Sequence, residues 1–299
     1  MRIGITGASG MLGTALLRKL SLDPENSVLA TSRTKGLLGS NINWNCFDLT
    51  DQYRLNDWLE IYQPDAIVHC AAMVNVDMCE DYPLKAQELH VTSTETISEF
   101  FDKTGGRLIY ISTDSLYNGN GIKPHKETDD PKPENHYSKS KFLGEASVNQ
   151  IKNGVIIRTS ILGKSSSKQK SFFEWVLSNL VQKTSMNLFV DVLFSPIHVS
   201  HLSEVIDIFL SNSHNGTFNC GSQDYLSKYE FGIKVADIFN LPCDTMLKST
   251  LEQANLKAKR PRNMALCNDK LEKLIEYKLP KINEVIELLY QEYKNSIKH

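Results

Sequence analysis

The stretch Ile3–Gly13, which reads IGITGASGMLG, decides the fold of this chain. An apolar run suited to a buried strand leads into Gly7, Gly10 and Gly13 at three-residue spacing, and an amphipathic segment follows. In such a turn the first glycine allows the tight bend, the second lets a pyrophosphate approach the backbone, and the third lets helix and strand pack closely. The free N–H groups at the helix start then face the phosphates. The spacing predicts a dinucleotide-binding turn; the alternative is a glycine-rich turn without a ligand.

The first half of the chain alternates short apolar runs with longer amphipathic stretches, which is typical of a parallel sheet covered by helices on both faces. Strands are predicted at Met1–Thr6, Ser27–Ser32, Ala66–Cys70, Arg107–Ser112 and Val155–Thr159. Helices are predicted at Met11–Leu20, Gln52–Tyr62 and Pro83–Thr104, and along the tail at Leu271–Tyr293. We therefore predict an α/β fold, a Rossmann-type doubly wound parallel sheet with a smaller C-terminal substrate lobe. Residues 1–162 would form the Rossmann domain, completed by parts of 190–225, and residues 163–299 would form mainly the substrate-binding lobe.

Composition and charge exclude several classes of protein. Of 299 residues, 41% are apolar and 23% charged, which is ordinary for a globular protein, and the net charge of -2 gives no basic surface for nucleic acid. No apolar run is long enough to cross a bilayer, and the N-terminus does not resemble a signal peptide. The six cysteines are scattered without a CxxC pair and the histidines lack metal-ligand spacing, so no metal site is predicted. We expect a cytoplasmic protein with free thiols that binds neither nucleic acid nor membranes.

The end of the second predicted strand, Thr31-Ser32-Arg33, indicates which dinucleotide is bound. A carboxylate at this point would bind a ribose 2′-hydroxyl and favour NADH, whereas an arginine suits the 2′-phosphate of NADPH. No acidic residue is present, Ser32 can donate a hydrogen bond, and Arg33 can pair with a phosphate dianion. The segment predicts NADPH, with NADH as the alternative cofactor. The other interpretation of Arg33 is a residue that simply faces solvent.

Two further segments are predicted to reach the same sheet edge. Asp48 and Leu49 lie where the adenine of a dinucleotide would sit, and Asp48 could accept a hydrogen bond from its amino group. Equally, Asp48 or Thr50 could cap the helix that follows. Ala71 and Ala72 end another strand and leave room for a ligand, although small residues also simply pack.

The segment HYSKSK, residues 136–141, holds the candidate chemistry. Tyr137 and Lys141 are four residues apart, so on a helix they share one face, and Thr113 follows a predicted strand at the edge where ligands bind. Carbonyl reduction needs a hydride on carbon and a proton on oxygen, but a phenol with a pKa of about 10 exchanges protons poorly at neutral pH. A nearby ammonium lowers that pKa. We predict Tyr137 as the proton donor, Lys141 as its tuner and as a holder of the cofactor ribose, and Thr113 as the anchor of the substrate oxygen. A chance Y-x-x-x-K is the alternative.

Several segments resemble the extended short-chain dehydrogenases/reductases: GITGASGMLG, FDLTD, HCAAMVNVDMCE, YISTDSLYNG, PKPENHYSKSKFLGE and IIRTSILG. Two later segments, SPIHVSHLSEVI and AKRPRNMALCNDKLEKL, are similar to the dTDP-4-dehydrorhamnose reductase group within that superfamily. The resemblance extends from residue 1 to about Leu274. It implies NAD(P)H binding and reduction of a 4-keto sugar carried on a nucleoside diphosphate.

Residue by residue, the resemblance implies a catalytic set of Thr113, Tyr137 and Lys141. It implies cofactor contacts, besides Tyr137 and Lys141, at Gly7, Gly10, Met11, Leu12, Asp48, Leu49, Ala71 and Ala72. On the substrate side, Asp114 would shape the site, and Arg260 and Arg262 resemble a late basic motif near the substrate diphosphate. Two guanidinium groups suit two phosphates, but a surface charge cluster is the alternative.

Departures from the family pattern leave the sugar open. Ser115-Leu116-Tyr117 replaces the usual Tyr-Val-Phe, which moves the aromatic ring within the segment expected to face the sugar. Ser138 replaces the glycine that usually follows the tyrosine, and His90 stands where related enzymes often have asparagine.

We predict an NADPH-dependent reductase of a nucleoside-diphosphate 4-keto-6-deoxy sugar, whose partner is that nucleotide-sugar substrate. A homodimer is possible. Alternatives are an epimerase or a dehydratase of the same superfamily, or a non-catalytic NADP-binding regulatory subunit, since one branch of the group regulates a partner enzyme. Asp114 follows Thr113 without a glutamate, which disfavours the dehydratase.

Overall fold

The computed structural model describes residues 1–36, 42–117, 119, 121, 123–165 and 170–297. The strands in this part of the chain are β1 (Arg2–Thr6), β2 (Ser27–Ser32), β3 (Asn43–Cys46), β4 (Ala66–His69), β5 (Arg107–Ile111), β6 (Gly154–Thr159), β7 (Ile161–Leu162), β8 (Met186–Phe189), β9 (Leu193–Phe194), β10 (Ile197–His198), β11 (Gly216–Cys220), β12 (Leu226–Ser227), β13 (Met246–Ser249) and β14 (Asn263–Met264).

The helices connect and cover these strands. In the described residues they are α1 (Met11–Leu20), α2 (Gln52–Tyr62), α3 (Val76–Asp81), α4 (Pro83–Gln87), α5 (Ser93–Thr104), α6 (His136–Gln150), α7 (Phe172–Gln182), α8 (Val199–Ser211), α9 (Lys228–Ile238), α10 (Asp269–Ile275) and α11 (Ile282–Ile297). A π-helical turn, Glu88–Thr92, joins α4 to α5, and a 3-10 turn covers Asp114–Leu116. In the part of the chain that the structure describes, no helix is both long and apolar enough to cross a membrane.

A seven-stranded sheet in the order β3-β2-β1-β4-β5-β6-β11 forms the centre of the described structure. All neighbouring pairs in it are parallel. The chain moves outward in one direction from β1 and in the other from β4, so the strand order reverses between these two strands. Ligands of such sheets bind outside the carboxyl ends of the strands at this reversal. The predicted doubly wound α/β fold is confirmed.

Apolar layers cover both faces of the sheet. One layer packs Ile3 and Ile5 of β1 against α1 and α8, and the other packs Ile67 of β4 against α2, α5 and α6. A third cluster lies in the C-terminal part, where α7, α11 and Phe231 of α9 pack together with Phe194 of β9. Because β11 pairs with β6, the later part of the chain also contributes to the central sheet. The division into lobes at residue 162 stays a prediction.

Two predicted helices are interrupted. Pro83–Thr104 is not one α-helix, because the chain widens into the π-helical turn at its middle. There the carbonyl of His90 accepts hydrogen bonds from the hydroxyls of Thr94 (2.8 Å) and Tyr110 (3.3 Å). The predicted tail helix is also broken: Glu276 ends α10 in a left-handed conformation (φ 60°), and Pro280 precedes α11.

The other predicted strands and helices agree with the structure, with ends shifted by one residue or less in the central sheet. In the central sheet, the sequence prediction missed β11 and also β3, which reads NWNC. This edge strand is largely exposed or half-buried, so it lacks the apolar alternation that marks a buried strand.

Candidate active site

The glycine turn is built where β1 and β4 meet. Gly7 has a φ of 62°, and a Cβ at this residue would lie 2.8 Å from the backbone of Ala71. A Cβ on Gly13 would lie 2.5 Å from the carbonyl oxygen of Gly7 and from Cα of Ala8. Gly10 precedes α1 and has no side chain with which to cap it. The N–H groups in the first turn of α1 therefore have no side-chain cap, and such groups after a glycine turn can bind a phosphate.

The two predicted cofactor residues at the end of β2 differ in their exposure to solvent. Ser32 is buried, and its hydroxyl donates to the carbonyl of Thr34 (2.6 Å), so it stabilises the turn that follows β2. Arg33 is exposed at the carboxyl end of the same strand. Its guanidinium is therefore the group at this strand end that a ligand from solvent can reach. Of the residues beside the glycine turn, Leu12 is buried and Met11 is half-buried.

Asp48 is exposed, and its Oδ1 accepts from the backbone N–H (3.1 Å) and the hydroxyl (3.0 Å) of Thr50. The cap of α2 is instead Asp51, which accepts from the N–H of Arg54. Leu49 is buried. The structure thus assigns helix capping to neither Asp48 nor Thr50, and the adenine contact of Asp48 stays a prediction.

The residues that end β4 line the floor of the same edge. Ala71 is buried and its N–H donates to the hydroxyl of Thr6 (3.3 Å), whereas Ala72 is half-buried. The Thr6 hydroxyl also lies 2.6 Å from Nδ1 of His69. Burial, together with the nearby ammonium of Lys141, lowers the pKa of His69 to about 3. This floor is therefore uncharged at neutral pH.

The helix that contains the candidate chemistry begins at a capping box. Asn135 accepts from the N–H of Ser138 (2.8 Å), and the buried Ser138 hydroxyl bonds back to Asn135. The amide of Asn135 also donates to the carbonyl of Lys259 (2.8 Å), which ties α6 to the C-terminal part of the chain. Ser138 thus stabilises the start of α6. The replacement of the usual family glycine by serine did not indicate this role.

Tyr137 lies beside Thr113 and Asp114, which follow β5. Burial raises the pKa of Tyr137 to about 12; a hydrogen bond with Thr113 lowers it, and the charges of Asp114 and Cys79 raise it. The hydroxyl of Thr113 also accepts from the N–H of Ser115 (3.1 Å), so the backbone of the 3-10 turn fixes its position. The structure therefore brings the predicted proton donor and the predicted oxygen anchor together.

Lys141 is buried one turn further along α6, with Nζ 3.8 Å from the ring centroid of Tyr110. Burial lowers the pKa of Lys141 to about 7, while Glu145 and Cys70 raise it. In the part of the chain that is described, the groups that shift the pKa of Tyr137 do not include Lys141. The tuning of the tyrosine by this lysine stays a prediction.

Asp114 has a partner that sequence reasoning missed. Burial raises the pKa of Asp114 to about 6, and the ammonium of Lys228 and hydrogen bonds with Thr113 and Ser160 lower it. Lys228 is the first residue of α9, and its Nζ lies 3.2 Å from the ring centroid of Phe194. No local pattern around Lys228 indicated this contact, because only the docking of α9 brings the two residues together.

His90 is a buried neutral side chain next to Tyr137. Its Nε2 accepts from the N–H of Met73 (2.8 Å), and Nδ1 lies 2.8 Å from the Ser140 hydroxyl, which donates to the carbonyl of Tyr137 (3.0 Å). The bonding pattern assigns the ring proton to Nδ1. The ring also meets Tyr137 edge-on, with centroids 5.8 Å apart. His90 therefore contacts the segment after β4 through Met73, α6 through Ser140, and the candidate proton donor Tyr137 through its ring.

The two late arginines pair with different carboxylates. Nη2 of Arg260 lies 3.0 Å from Oδ1 of Asp77 on α3, and Nε of Arg262 lies 3.6 Å from Oδ2 of Asp191. The side chain of Arg262 is 60% exposed and lines a cavity of about 370 Å³ together with Asp191. Arg260 is more enclosed, at 23% exposure. Substrate binding by either residue stays a prediction.

Comparison with known proteins assigns the family. The model of a family described as the RmlD substrate binding domain matches residues 1–295. The chain belongs to this family. Together with the solved dTDP-4-dehydrorhamnose reductases that share its fold, this membership confirms the resemblance to the extended short-chain dehydrogenases/reductases.

Three relatives of this RmlD-family chain illustrate the range of its similarities. Methionine adenosyltransferase 2 subunit beta of Pongo abelii is 31% identical over 281 residues, which cover 91% of this chain and 82% of the relative. The probable low-salt glycan biosynthesis reductase Agl14 of Haloferax volcanii is 26% identical, over 88% of each chain. The crystal structure of dTDP-4-dehydrorhamnose reductase from Bacillus anthracis in complex with NADP is 25% identical, with a TM-score of 0.83 over 97% of this chain and 99% of that one.

Proposed function

We propose that this chain is an NADPH-dependent reductase of a nucleoside-diphosphate 4-keto-6-deoxy sugar and acts in nucleotide-sugar biosynthesis. One observation carries the proposal: Tyr137 is hydrogen-bonded to Thr113 and lies near Asp114, and these two residues follow β5 at the sheet edge that also holds the glycine turn. A proton donor, an oxygen-binding hydroxyl and a phosphate-binding turn at one edge are the parts that carbonyl reduction requires. The reductase relatives from Haloferax volcanii and Bacillus anthracis support the same chemistry.

The cofactor site fits a nicotinamide dinucleotide. A Cβ on Gly7 or Gly13 would clash with neighbouring backbone, so the glycines let the turn pack closely against the strand and the helix. The first N–H groups of α1 have no side-chain cap and could bind a pyrophosphate. The exposed Arg33 would bind the 2′-phosphate, and Lys141 the ribose hydroxyls. The bound cofactor supplies the hydride. NADP in the Bacillus anthracis relative supports the choice of NADPH.

The protein side chains supply the proton and orient the carbonyl. With a pKa of about 12, Tyr137 holds its phenolic proton at neutral pH, and donation to the carbonyl oxygen requires the phenolate to be stabilised as the proton leaves. The hydroxyl of Thr113 orients that oxygen and, through its hydrogen bond, stabilises the phenolate left behind. Lys141 could supply a proton to the Tyr137 phenolate after the reaction, because its pKa of about 7 lets Nζ gain or lose a proton near neutral pH.

A second function is favoured by the similarity to methionine adenosyltransferase 2 subunit beta, whose name describes one subunit of an enzyme. In that alternative, the chain would bind the cofactor and regulate a partner enzyme. The presence of Thr113, Tyr137 and Lys141 near one another supports the reductase instead, since a regulatory role does not need a proton donor; Thr113 and Lys141 are buried and Tyr137 is half-buried.

Turnover with a substrate panel tests the proposal. The protein is mixed with NADPH and dTDP-, UDP-, GDP- and CDP-linked 4-keto-6-deoxy sugars, and the loss of NADPH absorbance is followed. Tyr137→Phe should lower kcat about 10²- to 10⁴-fold, the usual contribution of a general acid, and leave NADPH binding intact. Tyr53→Phe, at a tyrosine that is 76% exposed, is the matched control and should retain activity. NADPH binding without oxidation by any sugar would contradict the reductase and favour the regulatory subunit.

A further inference from the structure

Glu145 and Arg158 form a buried ion pair behind the candidate active site. Nε of Arg158 lies 3.0 Å from Oε1 of Glu145, and Nη2 lies 2.7 Å from Oε2, so the guanidinium binds the carboxylate through two hydrogen bonds. Glu145 is 1% exposed and Arg158 is 5% exposed. Breaking a buried pair is costly, whereas an apolar pair of similar volume often stabilises a fold as well. This location next to the chemistry therefore suggests a role besides stability.

The first connection of this pair leads to the oxygen anchor. The hydroxyl of Ser112 donates to Oε1 of Glu145 at 2.6 Å. Ser112 directly precedes Thr113 at the end of β5, so the carboxylate on α6 holds the backbone from which the Thr113 hydroxyl projects. A displacement of Glu145 would move Thr113 relative to Tyr137, which belongs to the same helix as Glu145.

The second connection leads to Lys141, one helical turn before Glu145. The ionisable groups around Lys141 are Glu145, His69, Cys70, His90 and Tyr110. Burial keeps the two histidines neutral by lowering their pKa values to about 3 and about 2, and it keeps the Cys70 thiol and the Tyr110 phenol neutral by raising theirs. Among the described residues around this ammonium, Glu145 is therefore the one that offers a carboxylate, which is ion-paired with Arg158.

The third connection leads to Tyr117, which follows the 3-10 turn. Nη1 of Arg158 donates to the hydroxyl of Tyr117 (2.8 Å), which donates to the carbonyl of Lys126 (3.0 Å). The Tyr117 ring stacks on His125 with centroids 4.3 Å apart. Tyr117 is only 1% exposed, so the ring that departs from the family pattern is packed behind the site and does not face a sugar.

We propose that Glu145 and Arg158 act as a positioning pair, which holds Thr113 in place through Ser112 and keeps the ammonium of Lys141 charged through the same carboxylate. The Thr113 part rests on the proposed reductase. The Lys141 part needs only cofactor binding, so it can be tested even if no sugar is reduced.

The test is the affinity for NADPH as a function of pH. Binding is titrated from about pH 5.5 to about pH 9.5, and Lys141→Met identifies the transition that belongs to this lysine. Glu145→Gln keeps the shape and the acceptor for Ser112 but removes the charge, so the midpoint should fall by about one pH unit. Arg158→Met leaves the carboxylate to Lys141 alone and should raise the midpoint. Opposite shifts from the two partners are not expected of a merely structural pair.

Stability is controlled separately. The double variant Glu145→Leu with Arg158→Met replaces the buried pair with apolar groups, so it remains testable if a single variant fails to fold; its midpoint should fall as in Glu145→Gln. Arg107→Met, at the opposite end of β5 where Arg107 binds the carbonyl of His214, should lower the melting temperature without moving the midpoint. Unchanged midpoints in both Glu145 variants, or a transition near pH 7 whose midpoint and size Lys141→Met leaves unaltered, would overturn the proposal.

Discussion

Replacing His90 with asparagine should flatten the loss of stability in acid. In the folded protein, Nε2 of His90 accepts the Met73 N–H and burial lowers the pKa from 6.5 to about 2, so the ring stays neutral in mild acid. The unfolded chain has no such constraint and takes up a proton below its ordinary pKa. Because the folded pKa is lowered, the stability contributed by neutral His90 is fully present above pH 6.5 and is lost as the pH falls toward 2.

The size of the effect follows from the two pKa values. Once the pH is below the unfolded pKa, each unit costs about 1.4 kcal/mol of unfolding free energy per buried histidine. Between about pH 7.5 and about pH 5, His90 therefore accounts for a loss of about 2 kcal/mol. His69, whose pKa burial lowers to about 3, adds a similar loss over the same range. His90→Asn should remove roughly half of the joint contribution.

The assay is urea unfolding at these two pH values, followed by circular dichroism. Ser140→Ala is the matched control, because it removes the hydroxyl that pairs with Nδ1 but keeps the titrating ring. We expect this control to lose about 1 kcal/mol at both pH values and to retain the full acid dependence. If His90→Asn lost as much stability in acid as the wild type, the claim that His90 is held neutral would be refuted.

Four further substitutions test the cofactor turn and the arginines. Gly13→Ala places a methyl group 2.5 Å from the Gly7 carbonyl, so it should cost about 1–3 kcal/mol in thermal unfolding and weaken NADPH binding. Arg33→Ala should lower the affinity for NADPH about tenfold or more but leave that for NADH almost unchanged; equal losses for both would contradict the 2′-phosphate contact. Arg262→Ala should raise the KM of a nucleotide sugar more than Arg260→Ala, because the exposed Arg262 lines the cavity while Arg260 is held by Asp77. The reverse order would assign the diphosphate to Arg260.

Local sequence determined the parts of the fold that depend on near neighbours. The spacing of Gly7, Gly10 and Gly13 predicted a strand, a turn and a helix, because backbone geometry at the turn permits little else. The same rule predicted that residues after β1, β4 and β5 meet, since the carboxyl ends of parallel strands share one edge, and Thr113 and Tyr137 indeed lie together. Their catalytic roles stay predictions.

Only the tertiary structure decided the electrostatics of the site. Ser138 looked like a change in the substrate pocket, but it is a buried part of the helix cap, and Tyr117 is packed behind the site. Asp114 pairs with Lys228 on an element that is distant in sequence. Glu145 and Arg158 lie on consecutive elements, but they pair only because α6 packs against β6. Charge and burial depend on which side chains surround a group in space. A sequence pattern can therefore identify a candidate tyrosine and lysine, but the pKa values of these side chains depend on the tertiary structure.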